Sequence, residues 1–153
     1  MVSNVCLCCF LLLVLVSKHR CNAECKEKVK PAFFVTLKDY QNLYTNTVVK
    51  FTRVKTNTGY GYRSRTGIFV APMAGLYEFN ASFMTYSGIS LELNLIKNDE
   101  FIVRGHAPST RASTGTLNVI LRLQICDEVY LRHPRDFGSI YGDDYSMFSG
   151  HML

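Results

Sequence analysis

Apolar and polar residues alternate along most of this chain, and this pattern constrains its fold more than any other feature of the sequence. The clearest example is residues 75–83, where the apolar positions are Tyr77, Phe79, Ala81 and Phe83. Successive side chains of a β-strand point to opposite faces, so this segment is predicted to be a strand with one buried face. Spacing typical of helices is scarce from Pro31 onward, which indicates an all-β fold.

The same pattern predicts several further strands. A strand at Ile89–Leu95 meets one at residues 101–104 across a turn at residues 97–100, which gives a hairpin, and Leu117–Leu123 turns at residues 125–127 into Glu128–Arg132. Shorter strands are predicted at 33–37, 48–54, 67–71 and 147–153. Many short strands with regularly spaced turns are typical of a sandwich or jelly roll.

Length and composition limit the class of protein. The chain has 153 residues, of which 48% are hydrophobic and 19% charged, so one globular domain is expected. The 10 glycines follow no Gly-X-Y repeat, which excludes a collagen stalk within this sequence. No stretch holds the roughly 20 apolar residues of a membrane span.

The N-terminal segment predicts secretion. Residues 6–16 form an uninterrupted apolar run, and its length and position are typical of a signal peptide. We assign residues 1–17 to the signal peptide, although cleavage after Ala23 is an alternative. Residues 18–30 then form a basic linker with five basic and two acidic side chains, ahead of a domain at residues 31–153. The protein is therefore expected to be extracellular.

The number of cysteines in the mature chain depends on the cleavage site. Three of the six cysteines leave with the signal peptide; cleavage after Ser17 keeps Cys21, Cys25 and Cys126, whereas cleavage after Ala23 removes Cys21 as well. An odd number in an oxidising compartment implies an intermolecular disulfide or a free thiol. We expect Cys21 and Cys25 to form intermolecular disulfides, because a polar tail can reach a neighbouring chain. They are too few for a zinc site.

Several motifs carry a resemblance to a known family. They are the run Val49–Val54, then Thr56, Asn57, Gly59 and Tyr62, the run Thr66–Phe79, Leu95–Asn98 with Glu100, Asp127–Leu131 and the closing segment Tyr141–Leu153. In this order they resemble the signature of the complement C1q globular-head domain, and they cover about residues 31–153. The chain is similar to secreted members without a stalk.

The resemblance implies a fold and an assembly. It implies a ten-stranded jelly roll, related to the tumour necrosis factor fold, that assembles as a homotrimer. One departure is Cys126, where the family usually has glycine before an aspartate in a strand turn. Whether this thiol is buried, paired or free is left open.

Motifs for catalysis are absent from the sequence. The four histidines are isolated from one another, and no HExxH, Gly-x-Ser-x-Gly or phosphate-binding glycine loop occurs, so an enzyme is not expected. No cofactor is indicated with certainty. Asp143 and Asp144 are a candidate calcium site, because that ion prefers carboxylate oxygens and some relatives bind it. A solvated turn is the alternative for this pair.

Charge points to one candidate ligand site. Residues 40–77 contain no acidic side chain but include Lys50, Arg53, Lys55, Arg63 and Arg65, with Tyr60 and Tyr62 among them. Arginine binds phosphate and carboxylate groups through paired hydrogen bonds, and an exposed tyrosine offers a flat face to a sugar ring. The alternative is a solvated strand and loop with incidental charge, since Tyr62 occupies a core position of the family and burial would remove it from the surface. The domain as a whole, with 12 basic and 10 acidic side chains in residues 31–153, is nearly neutral, which argues against nucleic-acid binding.

The sequence is compatible with two functions. The first is a lectin-like recognition module of innate immunity that binds microbial glycans or other anionic ligands as a trimer. The second is a signalling or adhesion ligand for cell-surface receptors, similar to the cerebellins, which the Cys-x3-Cys spacing of Cys21 and Cys25 favours. In either case Asn80 can accept an N-glycan, since Asn80-Ala-Ser82 is the only sequon, and an unused sequon is the alternative because a strand is less accessible than a loop and a trimer contact would cover it.

Overall fold

The computed structural model describes residues 29–86, 88–110 and 112–153. These residues form twelve strands, whose bounds are β1 Ala32–Thr36, β2 Gln41–Tyr44, β3 Arg53–Thr58, β4 Tyr62–Arg63, β5 Ile68–Val70, β6 Gly75–Met84, β7 Leu91–Lys97, β8 Glu100–Ala107, β9 Thr114–Leu123, β10 Glu128–Arg132, β11 Phe137–Ile140 and β12 Met147–Met152. The described part of the chain contains no helix. The predicted all-β class is therefore confirmed.

Ten of the strands form two five-stranded sheets, in agreement with the predicted ten-stranded jelly roll. The first sheet has the order β3-β1-β12-β6-β9 and the second the order β4-β5-β10-β7-β8, and every pairing within them is antiparallel. The remaining two strands, β2 and β11, pair with each other as a separate ribbon that the sequence pattern did not predict.

Alternating side chains from both sheets fill the core between them. On β6, Tyr77, Phe79 and Phe83 are fully buried, whereas Asn80 and Ser82 on the other face are half-buried. Phe33 stacks on Tyr62 and on Phe69, with ring centroids 5.0 Å apart in each case, which joins the first sheet to the second. The predicted core residues Phe69, Tyr77, Phe79 and Phe148 all lie in this aromatic cluster.

The hairpin predicted at residues 97–100 is present. Lys97 pairs with Glu100, and both turn residues, Asn98 and Asp99, have positive φ values of 49° and 65°. Two left-handed residues in a two-residue turn match the right-handed twist of the flanking strands, and Asn and Asp tolerate this conformation best after Gly. The second strand of the hairpin is longer than predicted and continues to Ala107.

Two details of the prediction were wrong. The strand expected at residues 48–54 begins only at Arg53, because Val49 and Phe51 are buried but bond outside any ladder: Val49 N–H donates to the Leu131 carbonyl and Phe51 N–H to the Tyr62 hydroxyl. Alternating burial in that segment reflects an extended connection from β2 to β3, which pairs with β10 only through the isolated bridge between Val48 and Arg132. Ile89, expected to point inward, is 42% exposed because β7 starts two residues later.

Candidate functional site

The predicted basic residues lie where the edges of the two sheets meet. β3 is the edge strand of the first sheet and β4 that of the second, and only residues 59–61 separate them. The Asn57 side chain holds this crossing, because its amide nitrogen donates to the Tyr62 carbonyl at 2.9 Å and its oxygen accepts from the Tyr62 N–H at 3.1 Å. Basic side chains of both edge strands are thereby placed on one side of the sandwich.

Lys50 joins this group through the turn between β4 and β5. Gly67 packs so closely on the backbone of Val49 and Lys50 that a Cβ atom there would lie 2.2 Å from the Val49 oxygen. The Gly67 N–H donates to the Arg63 carbonyl at 2.9 Å, so Arg63 and Lys50 are carried by one packed unit. Gln41 fixes the Lys50 backbone from the other side with two hydrogen bonds. We call Lys50, Arg53, Lys55, Tyr60, Arg63 and Arg65 the basic surface.

Two members of the basic surface are already paired with an acid. Asp144 accepts a hydrogen bond from the Arg53 guanidinium and another from the Thr36 hydroxyl, and Lys55 Nζ lies 3.7 Å from the same carboxylate. The Thr36 hydrogen bond, followed by that from Arg53, lowers the pKa of Asp144 below its usual value. Among the described residues, Lys50, Arg63 and Arg65 have no acidic partner, so these exposed side chains supply most of the charge that a ligand would meet.

The two tyrosines of the segment have different environments. Tyr60 is 89% exposed at the turn between β3 and β4, where it has a φ of 55°. Tyr62 is 3% exposed, and its hydroxyl donates to the Phe51 carbonyl and accepts from the Phe51 N–H. Burial raises the pKa of the Tyr62 hydroxyl. Of the two candidates, Tyr60 is therefore the one whose ring can reach a ligand.

Asp143 and Asp144 lie in the loop between β11 and β12. Both residues have positive φ values, and their N–H groups donate to the carbonyls of Lys38 and Leu37. The carboxylate of Asp144 faces Arg53, and the described residues contain no group of three or more His, Cys, Asp or Glu side chains that could hold a metal ion. The calcium site at this pair stays a prediction.

Asn80 lies where strand alternation placed it, on the face of the first sheet that points away from the core. It sits near the middle of β6, between β12 and β9, and accepts a hydrogen bond from the Asn118 side chain. Asn80, Ser82, Thr116, Asn118, Met147 and Ser149 line a shallow depression of about 260 Å³ on this face. Glycosylation of Asn80 stays a prediction.

The structure describes Cys126, whose thiol the sequence left as buried, paired or free. Cys126 is exposed, and its φ of 71° lies in the left-handed region that favours glycine, which explains why glycine is usual at this position of the turn. It has no disulfide partner among the described residues. Cys21 and Cys25, like the predicted signal peptide and most of the linker, lie outside the described residues.

A second candidate site, not found from the sequence, is a cleft of about 420 Å³ lined by Lys38, Asp39, Tyr40, Tyr86, Tyr141, Gly142 and Asp143. Tyr40 stacks on Tyr86 at 5.4 Å, and Tyr86 packs against Tyr141 at 5.2 Å. These residues come from three distant parts of the chain, so no local sequence pattern could have identified them as one site.

None of the described residues belongs to a helix long and apolar enough to cross a membrane.

Comparison with known proteins gives a consistent result. Residues 32–153 match the family described as C1q domain. The chain is 34% identical over 110 residues to the mouse protein "Complement C1q tumor necrosis factor-related protein 6", and the match covers 67% of this chain and 41% of the mouse protein. The chain therefore spans less than half the length of that curated relative.

Solved structures of low sequence identity share the fold. The globular domain of zebrafish complement 1qA superposes with a TM-score of 0.68 at 16% identity and covers 82% of this chain and 98% of the zebrafish chain. The tumour necrosis factor Eiger from S. frugiperda superposes with a TM-score of 0.66 at 11% identity, over 81% of this chain and 92% of that one. These matches establish a jelly roll shared with both groups of proteins.

Proposed function

The chain belongs to the C1q-domain family, and from that premise we propose that it is a secreted recognition module that binds anionic microbial glycans through the basic surface. The observation that carries the proposal is the charge of Lys50, Arg63 and Arg65, which have no acidic partner within residues 29–86, 88–110 and 112–153, beside the exposed ring of Tyr60. Guanidinium groups suit phosphate and sulfate groups, and the tyrosine ring suits the apolar face of a sugar. The proposal is of a binding module, not of an enzyme.

Replacement of Arg63 and Arg65 by alanine tests this proposal. Each side chain is exposed, so each contact contributes about 0.5–1 kcal/mol, and the double variant is expected to bind lipopolysaccharide or a sulfated glycan about five- to thirtyfold more weakly. The salt dependence of binding should also become less steep, because fewer ionic contacts form. Surface plasmon resonance at two salt concentrations measures both quantities.

The matched control removes the same charge elsewhere. Arg104 and Arg135 are exposed and both pair with Glu92, away from the basic surface, so the variant Arg104→Ala/Arg135→Ala lowers the net charge equally. It should keep the binding of the unaltered protein. Equal losses in both double variants would indicate a nonspecific charge effect, and unchanged binding in the Arg63/Arg65 variant would exclude the basic surface as the ligand site.

We further propose that the protein assembles as a homotrimer through the outward face of the first sheet. This face exposes Phe34, Leu76 and Ile120 at 37%, 40% and 57%, among polar side chains that include the charged Glu78 and Arg122. Apolar side chains on an otherwise polar sheet face are suited to burial between copies. A trimer would present three basic surfaces to a repetitive polysaccharide, which strengthens overall binding.

Sedimentation of the secreted protein tests the assembly. The unaltered protein should be a trimer at micromolar concentration, Ile120→Asp should be largely monomeric, and Phe101→Asp, on the edge of the second sheet, should stay trimeric. A monomeric unaltered protein would contradict the proposal. A trimer with an N-glycan on Asn80 would contradict this choice of face, because Asn80 lies at its centre.

A cerebellin-like role as a ligand for cell-surface receptors is the second candidate. It is supported by the Cys-x3-Cys spacing of Cys21 and Cys25, which would link trimers covalently. A glycan array and a cell-surface binding assay, run with the same secreted protein, separate the two functions. Binding to cells that persists after removal of their glycans, with no signal on the array, would favour the receptor ligand.

A further inference from the structure

The cleft between the β1–β2, β6–β7 and β11–β12 connections is built mainly from tyrosines. Tyr40, Tyr86 and Tyr141 line it in a continuous series, and Tyr145 extends the series by an edge-on contact with Tyr141 at 5.2 Å. Tyr40, Tyr86 and Tyr145 are 60%, 49% and 53% exposed. Large aromatic side chains are usually buried in such a domain, so four of them in one partly exposed series call for an explanation.

The hydroxyl groups of these tyrosines are available. The buried tyrosines use theirs internally, since Tyr62 donates to Phe51, Tyr77 to the Met73 carbonyl and Tyr130 to Asp99. Within the described residues, the hydroxyls of Tyr40, Tyr86, Tyr141 and Tyr145 make no hydrogen bond to protein. A ligand with its own donors and acceptors can therefore bind to them without breaking existing bonds.

Carboxylates and an ammonium group accompany the rings. Asp39 and Asp143 line the cleft together with Lys38. Each carboxylate can accept two hydrogen bonds, which suits a pair of neighbouring hydroxyls on one ring, and the ammonium can donate to a third oxygen. Flat apolar faces with convergent acceptors fit a neutral sugar ring, because such a ring has an apolar C–H face and a periphery of hydroxyls.

The backbone holds the cleft in this shape. The Asp143 N–H donates to the Lys38 carbonyl at 2.8 Å, and the Tyr141 N–H donates to the Met84 carbonyl at 2.8 Å. Gly142 packs against Asp39 and Tyr40 so closely that a Cβ atom would lie 2.3 Å from the Asp39 carbonyl carbon. The three connections are thus tied together, and a preformed site loses little freedom on binding. The cleft volume of about 420 Å³ is in the usual range for small ligands.

We propose that this tyrosine cleft is a second subsite, which binds a neutral hexopyranose ring by stacking on the outer face of Tyr40, whose inner face is supported by Tyr86, and by hydrogen bonds to Asp39 and Asp143. This inference rests on the proposed glycan recognition and deepens it. A neutral ring here and an anionic group on the basic surface are distinct contacts. The loop that carries Asp143 also carries Asp144, which pairs with Arg53 of the basic surface, so the two sites are neighbours.

Titration of the secreted protein with four methyl glycosides tests the subsite, namely those of glucose, mannose, galactose and N-acetylglucosamine. Tyrosine fluorescence and saturation-transfer NMR report binding, and the absence of tryptophan leaves the tyrosine signal unobscured. At least one glycoside should bind with a dissociation constant of about 1 mM, and Tyr86→Ala should weaken this about tenfold. Tyr86→Phe should bind nearly as well, because the ring is kept.

Tyr44→Ala is the matched control, because Tyr44 is 59% exposed but lies outside the cleft and packs against Phe137. It should leave glycoside binding unchanged. The Arg63→Ala/Arg65→Ala variant should also bind the glycosides normally and without salt dependence, which separates this subsite from the proposed anion site. The subsite is overturned if no glycoside binds the folded protein, or if Tyr86→Ala and Tyr44→Ala have equal effects.

Discussion

Replacement of Phe79 by alanine should destabilise the domain by about 3–5 kcal/mol, the largest effect that we expect from a single side-chain truncation. Phe79 is fully buried at the centre of β6, and its ring packs against Phe69 at 5.6 Å, Phe148 at 6.1 Å and Phe33 at 6.2 Å. Truncation removes one member of a close-packed aromatic cluster and leaves a cavity that rigid strands cannot close. Thermal unfolding should shift downward by more than about 10 °C.

The control for this experiment is the same truncation on the surface. Phe101 lies on the edge strand β8, is 51% exposed and has the Arg104 guanidinium 5.7 Å from its ring centre. Phe101→Ala should cost no more than about 1 kcal/mol. If Phe79→Ala does not accumulate, Phe79→Leu gives a measurable intermediate. Similar stabilities of the Phe79→Ala and Phe101→Ala proteins would mean that the core is packed differently from this description.

Gly67→Ala should be nearly as damaging, for a backbone reason. Gly67 has a φ of 80°, and an added Cβ atom would lie 2.2 Å from the Val49 oxygen and 3.3 Å from the Lys50 Cα. Both neighbours are backbone atoms, so a segment of chain must move. Together with the cost of the left-handed conformation, we expect a loss of about 3 kcal/mol or more. Since this turn carries Arg63 and packs on Lys50, glycan binding should weaken as well.

The variant Gly88→Ala separates the cost of the steric clash from the cost of the left-handed conformation. Gly88 has a similar φ of 68°, but the nearest atom to an added Cβ is the Ser109 oxygen at 3.4 Å, an ordinary contact. Only the conformational cost of about 1 kcal/mol is expected there. Chemical denaturation of the two variants measures the difference. If both glycines cost the same, the close approach between Gly67 and Val49 does not exist in solution.

The sequence predicted those elements of the fold that depend on neighbouring residues. Alternation in β6 identified the buried face correctly because burial of every second side chain is a local consequence of strand geometry. It failed for residues 48–52, where Val49 and Phe51 are buried but bond to Leu131 of β10 and to the Tyr62 hydroxyl without forming a strand, and it missed β2 and β11, which are short and lack clear alternation. Burial can be read from hydropathy, whereas ladder partners depend on distant chain segments.

The candidate sites likewise differ in whether they could be predicted from the sequence. The basic surface was predictable because its members fall within 16 consecutive residues and no acid separates them. The partial neutralisation of the basic surface by Asp144 was not predictable, because Asp144 lies 91 residues from Arg53 in the sequence. The tyrosine cleft could not be predicted either, because Tyr40, Tyr86 and Tyr141 meet only where three connections converge at one end of the sandwich.

The position of β12 has a consequence for the order of events during synthesis. β12 lies between β1 and β6, and it therefore completes the first sheet at its centre. Until residues 147–152 leave the ribosome, β1 has no partner on that side and the aromatic core lacks Phe148. The first sheet can therefore close only after residues 147–152 have been translated, and until then the incomplete domain exposes one edge of β1 and one of β6 to chaperones and to other nascent chains.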